Sequence, residues 1–299
     1  MNVVDWLLDS DPAIRWQVMR DLTDAPPDAV AAERSKVARQ GWGARLLALQ
    51  RPEGDWGGDP SNPEWTTLLA LVLLREMGLD PQGEQARRAV TPVRDDITWH
   101  WWDNRPFFHG EVEPCINGRV LAVGAYFGQG SGGLVERLLE EQMDDGGWNC
   151  EQENGSTRGS FHSTINVLEG LLEHERTTGG SAGVREARLR GQDYLIERRM
   201  FRRLSNGEII DPEFTQFANP RGYRYDVLRG LDHLRDAQAE PDERMAEAIE
   251  LVENKRDADG RWTLENSHPG ELGFDIGEEK GRVSHWITLR AMRVLRWFR

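Results

Sequence analysis

The sequence predicts an all-α chain, specifically an α/α toroid: a double-layered barrel of five to six helical hairpins. Three observations predict it. Apolar residues recur at helical spacing along most of the chain, as in Phe161, Ile165, Leu168 and Leu172. No stretch alternates apolar and polar residues long enough to read as a strand. The helical stretches also repeat, an inner apolar segment following an outer charged one.

The order begins with "DWLLDSDPAIRWQVMRDL", a shortened pair within residues 1–24, with Asp11 as N-cap and Pro12 at the first helical position. Residues 25–299 then carry five hairpins, and 1–299 reads as a single toroid. Their inner segments align without gaps: "WTTLLALVLL", "NGRVLAVGAY", "TINVLEGLLE", "RYDVLRGLDH" and "HWITLRAMRV" share a leucine at Leu69, Leu121, Leu168, Leu228 and Leu289. Outer helices precede them at roughly 33–50, 82–94, 132–143, 183–203 and 241–256. An inner helix such as 65–74, apolar on most faces, must be buried on most sides, so the inner helices gather and the charged ones back them. Running the same way, they bring their N-termini to one end, where free N–H groups and dipoles sum to a positive field.

A turn recurs between outer and inner helices, in "LQRPEGDWGG", "EEQMDDGGWNCEQ" and "ENKRDADGRW". Gly54, Gly146 and Gly260 permit backbone angles that a side chain hinders. Glu53, Asp145 and Asp259 are placed to accept from turn N–H groups. Trp56, Trp148 and Trp262 are large enough to fill the wedge between repeats. The expected role is a structural joint, the alternative being that one of these tryptophans lines a ligand site.

Composition narrows function. The 299 residues carry a formal net charge of −14, and the only lysines are Lys36, Lys255 and Lys280. Nothing suggests the basic face a nucleic-acid partner needs. The apolar run Leu68–Leu74 is far too short to span a bilayer, and the N-terminus lacks the pattern of a signal peptide, so a cytoplasmic protein is expected. Cys115 and Cys150 are expected as free thiols.

The repeated turn, with Gln50 and Gln142 ahead of Trp56 and Trp148 and an inner helix after each, resembles the Gln-and-Trp repeat of the α/α-toroid superfamily of squalene cyclases and protein prenyltransferase β subunits. The third copy has Arg256 at the glutamine position. The resemblance, from about residue 30 onward, implies a central cavity for an apolar ligand such as an isoprenoid. The superfamily's Asp-X-Asp-Asp and Asp-Asp-X-X-Asp motifs are absent; Asp95-Asp96 and Asp144-Asp145 lack the third acid. The length leaves room for one barrel, where squalene cyclases have two. The prenyltransferase zinc site uses Asp-X-Cys and a later His. Glu113-X-Cys115 and His162 resemble it, since Cys115 and His162 lie six residues before the common leucine of successive repeats. Glu113, Cys115 and His162 are therefore candidate zinc ligands, with Cys115 and His162 also candidate catalytic groups.

A second cluster opens the last two inner segments. Arg224, Tyr225 and Asp226 begin one, His285 and Trp286 the other, and Arg224, His285 and Asn117 share a repeat position. Asp226 and His285 would act as an acid/base pair if within hydrogen-bond reach; alternatively Asp226 caps its helix or pairs with Arg224. Trp65 and Trp286 are expected either as walls of a substrate cavity or as core, and Asn117, Arg224 and Tyr225 as further substrate contacts. Three functions follow: an enzyme on an isoprenoid-like or other apolar substrate, a non-catalytic carrier of such a ligand, or an interaction scaffold with a filled barrel.

Overall fold

The computed structural model describes residues 2–58, 62–130, 133–270 and 272–299. Thirteen α-helices dominate it: α1 (Val3–Leu8), α2 (Pro12–Asp21), α3 (Pro27–Arg34), α4 (Gly41–Ala48), α5 (Pro63–Met77), α6 (Glu84–Asp96), α7 (Pro114–Tyr126), α8 (Leu134–Glu140), α9 (Phe161–Thr178), α10 (Ala182–Glu197), α11 (Val227–Asp236), α12 (Ala246–Asn254) and α13 (His285–Phe298). A two-residue hairpin pairs Thr98–Trp99 with Arg105–Pro106. The first outer stretch, expected at 33–50, is divided into α3 and α4, and Gly41 at φ +64 opens the second piece. Residue 132, the expected start of another outer stretch, lies outside the described residues.

The inner helices α2, α5, α7, α9, α11 and α13 pack in sequence, and α13 packs back on α2. The ring closes with six members. Asp11 caps α2 by accepting from the Ala13 N–H, and Pro12 takes the first helical position. The α7–α9 contact is the tightest in the ring because glycine lies at its crossing. A Cβ on Gly118 would sit 2.5 Å from the Asn166 carbonyl oxygen, and one on Gly170 would sit 2.3 Å from that of Gly118. Among the described residues, no helix is long and apolar enough to cross a membrane.

The three turns are one joint built three times. The indole N–H groups of Trp56, Trp148 and Trp262 donate to the carbonyls of Leu46, Leu138 and Val252, at 2.8, 2.7 and 2.7 Å. Each buried ring thus holds the end of the outer helix before it. Gln50 donates to the Gly54 and Ala89 carbonyls, and Gln142 to those of Gly146 and Ala187, tying each turn to the following outer helix, α6 or α10. Gly54, Gly146 and Gly260 have φ of +96, +85 and +80. They lie against Pro92 of α6, Arg190 of α10 and Val3 of α1. The third neighbour identifies α1 as the outer helix of the sixth hairpin.

The acid of the joint differs from expectation. Asp145 accepts from the Gly147 and Gly159 N–H groups as anticipated. In the first copy Asp55, not Glu53, accepts from the turn, and in the third Asp257, not Asp259, accepts from Asp259 and Arg261. A short Asp side chain reaches an N–H two residues on wherever it stands in the turn. The exact column is therefore free to shift.

Gly146→Ala and Gly260→Ala both impose positive φ on a side chain, but only the first also drives Cβ to 2.6 Å from a backbone oxygen; at Gly260 the nearest atom is 3.7 Å away. Each is expected to lower the melting temperature, Gly146→Ala by an additional ~1 kcal/mol or more. Equal losses in thermal denaturation would contradict the tight fit of the Gly146 turn against α10.

Candidate functional site

Two cavities approach the toroid axis from opposite ends. On the side where the inner helices begin, a mouth of about 580 Å³ is lined by Trp65 and Leu69 of α5, Arg119 of α7, and Tyr223 and His268 from loops. On the other side, a cavity of about 230 Å³ is lined by residues along α2, α5, α9, α11 and α13, from Trp286 in the first turn of α13 to Arg176 near the end of α9. That lining is rich in arginine and carboxylate.

Along the axis, lining this second cavity, runs a lattice of ion pairs. Glu76 of α5 receives Arg221 on one oxygen and Arg290 of α13 on the other, each at 3.0 Å. Glu169 of α9 receives Arg229 of α11 through both oxygens, at 2.9 and 2.8 Å. Arg75 reaches Glu173 across the ring at 3.0 Å. Asp232 holds Arg293, which also donates to Gln17 of α2 at 2.9 Å. Burial alone would raise the Glu76 and Glu169 carboxyls, but the facing guanidiniums hold both below the usual carboxylate range. These acids are ionised at neutral pH. The axis is lined by charge, where the family resemblance implied an apolar hollow.

The mouth has a different character. Trp65 and Leu69 are one helical turn apart and so share a face of α5. Trp65 stays 44% exposed and stands edge-on to the buried Trp99, ring centres 5.8 Å apart. Tyr223 is 47% exposed, while its carbonyl is fixed by the Asn166 side-chain amide at 2.7 Å. The His268 backbone N–H donates to the Pro220 carbonyl at 2.9 Å. Burial, with Arg224 nearby, pushes the His268 imidazole below its usual range, so it is neutral at pH 7. Arg119 closes the floor. It is 8% exposed, and its Nε has no hydrogen-bond partner among the described residues.

The residues expected to form a site are distributed differently. Cys115 donates to Glu113 Oε2 at 3.4 Å, and Cys150 completes a group whose ligand atoms lie within 4.8 Å of one another. His162 is not part of that group; its Nδ1 accepts from the Tyr225 N–H at 2.9 Å. The donor set a metal would meet here is two thiols and a carboxylate, with Cys150 in the place expected for His162. Both thiols are free. The neighbouring Cys150 and burial together push the Cys115 thiol up, while the contact with Cys115 draws the Cys150 thiol down. Glu111, just upstream, is buried and pushed up to about 7, burial outweighing the backbone N–H groups it accepts.

Asp226 and His285 do not pair. Asp226 caps α11 by accepting from the Arg229 N–H at 2.9 Å. His285 stacks on Trp6 at 3.9 Å, with Nδ1 3.5 Å from Glu278. The helix cap prevails because a first-turn N–H is the nearest donor an N-cap carboxylate can meet. Asn117 clamps both backbone groups of Glu111, Tyr225 donates its hydroxyl to the Met200 carbonyl, and Arg224 pairs with Glu213 at 3.0 Å. Trp286 is buried beneath Arg290 and beside Trp42. It borders the charged cavity, and Trp65 the mouth.

Arg119, Tyr223 and His268 were not singled out from the sequence. Arg119 had a visible signal, a guanidinium inside the apolar stretch "NGRVLAVGAY". The axial lattice had one too, because Glu169, Arg229 and Arg290 each directly follow the common leucine.

No family model matches the chain, and no curated protein matches it. Among solved structures, the chain is similar to a protein from Actinoplanes, with 18% identity and a TM-score of 0.44 over 97% of this chain and 90% of that one. It is also similar to an apo type II terpene cyclase from Scytonema, with 17% identity and a TM-score of 0.46 over 97% of this chain and 86% of that one. The toroid described above rests on the ring of inner helices itself.

Glu76→Gln leaves two buried guanidiniums facing a neutral amide and is expected to destabilise the fold by about 3–5 kcal/mol. A loss below ~1 kcal/mol in chemical denaturation would mean the lattice is solvated. The pH dependence has two windows. His162 is pushed down to about 4 by burial and Arg224, while an unfolded histidine titrates near ~6.5. Between those values the unfolded chain binds the proton and the folded one does not, so stability falls as pH drops from ~6.5 toward ~4. The depressed carboxylates of the lattice add a further loss as pH falls below ~4. His162→Asn keeps an acceptor for Tyr225 and should make the first window of a melting-temperature profile shallower, with buried His233, pushed down to about 3, still contributing there. An unchanged slope would show that His162 does not contribute there.

Proposed function

We propose that the protein binds an apolar, isoprenoid-like small molecule in the mouth at the N-terminal ends of the inner helices, between Trp65, Leu69 and Tyr223. The observation that carries this reading is the contrast between the two cavities. Small-molecule sites are commonly ~300–1,000 Å³ with mostly apolar walls. The mouth, at about 580 Å³ with two exposed aromatic rings, falls in that range. The opposite cavity, at about 230 Å³, is below it and lined by ion pairs. An apolar chain placed there would desolvate charges without compensating them. A terpenoid-cyclase-like toroid that keeps its ligand at the mouth accounts for both cavities.

A catalytic reading is favoured by His268. Its neutral imidazole borders the mouth and is the right form for a general base. In that reading the ligand is a substrate and His268 moves a proton on it. Asp226 and His285, each engaged elsewhere, have no part in the step.

Farnesol titrated into the protein, followed by tryptophan fluorescence and calorimetry, tests the binding site. Saturable binding is expected, weakened at least ~10-fold by Trp65→Ala together with Tyr223→Ala, with the melting temperature little changed because both rings are exposed. Binding unaffected by those substitutions, or none at all, would overturn the proposal. Incubation in D₂O separates enzyme from carrier. Deuterium bound to carbon in recovered farnesol, beyond its exchangeable hydroxyl, that disappears with His268→Gln supports catalysis, and no such incorporation with intact binding supports a carrier.

A further inference from the structure

We infer that the ligand of the mouth is amphipathic and ends in an anionic oxygen group, a carboxylate or a phosphate, which Arg119 receives at the floor of the cavity. The inference rests on the binding reading above and specifies the chemistry of the ligand. Five guanidiniums of the axis, those of Arg75, Arg221, Arg229, Arg290 and Arg293, have carboxylate partners, with Glu76 shared between Arg221 and Arg290. Arg119 has no such partner among the described residues. Its Nε is buried without an acceptor, and its side chain forms part of the mouth lining.

The surroundings explain why the position favours an external anion. Arg229 repels Arg119, and burial, the larger effect, pushes the Arg119 guanidinium down to about 10. It stays charged at neutral pH. The acids of that neighbourhood, Glu76 and Glu169, are already bonded to other arginines. Among the described residues, the mouth lining contains no carboxylate, and burial with Arg224 nearby pushes the His268 imidazole below its usual range. A planar guanidinium with free N–H groups matches a carboxylate or phosphate oxygen pair. Above it, Leu69, Trp65 and Tyr223 would hold the apolar chain, so head and tail are read at opposite ends of one cavity.

A buried cation without a partner should lower the stability of the empty protein, and this separates a ligand-receiving arginine from one that braces the fold. Arg119→Met is therefore expected to hold or raise the melting temperature of the unliganded protein. A structural arginine would lower it.

The test uses decanoate, decyl phosphate and decanol, titrated into the full chain at pH 7.5 by calorimetry. At least one anion should bind ~10-fold or more tightly than decanol. Arg119→Gln and Arg119→Met should erase that preference while leaving decanol affinity within about twofold. Which anion gains more identifies the head group as carboxylate or phosphate. Equal binding of all three ligands would overturn the inference and leave the apolar site standing. An anion preference that survives both substitutions, or a lowered melting temperature in Arg119→Met, would overturn it too. Failure of all three ligands to bind would remove the underlying reading, and this inference with it.

Discussion

The structure depends on a set of buried charges that six converging helices have to share. The six inner helices meet around a common axis. Here it is spanned by long arginine and glutamate side chains. Glu76, gripped by Arg221 and Arg290, links α5 to α13; Glu169 links α9 to α11 through Arg229; Asp232 links α11 to α13 and, through Arg293 and Gln17, to α2. Such pairs give less net stability than their Coulomb attraction suggests, because each charge has been taken out of water. Their geometric demand is strong. A guanidinium that must meet two partners fixes the relative height and rotation of the helices bearing them.

The perimeter is built on the opposite principle. Where the axis uses long-range pairs between different residue types, the outer joints reuse one short-range solution, an indole N–H on a helix-terminal carbonyl above a left-handed glycine. The joints set the spacing of hairpins around the ring, and the axial charges set how the inner helices face one another. Because the charges line the axis, space for an apolar ligand is left at the ends. The end where α5 and α7 begin has the apolar walls.

This division also explains what could be read directly. The joint was legible because its parts lie within about ten residues and recur. Gln50, Trp56, Gln142 and Trp148 announce themselves, and the hairpin order follows. The shortened first pair was legible from Asp11 and Pro12. The axial pairs were hidden by separation: Glu76 and Arg290 are 214 positions apart, and nothing local says which acid meets which base. The mouth was hidden for another reason. Tyr223 and His268 come from loops without periodicity. Asp226 and His285 lie at the start of neighbouring inner helices, which correctly suggested proximity to the ring's end. Their partners, an N-cap amide and the Trp6 ring, were decided by contacts a few ångströms away that spacing does not encode.

The central claim is that charge lines the axis and leaves the ligand at the mouth. The most direct measurement is a crystal structure with a bromine-tagged long-chain ligand, the bromine located by anomalous scattering. The account predicts anomalous density between Trp65 and Tyr223, on the mouth side of Arg119, with the Glu76–Arg290 and Glu169–Arg229 pairs intact. Bromine lodged among Glu76, Glu169 and Asp232, with those pairs parted, would contradict it.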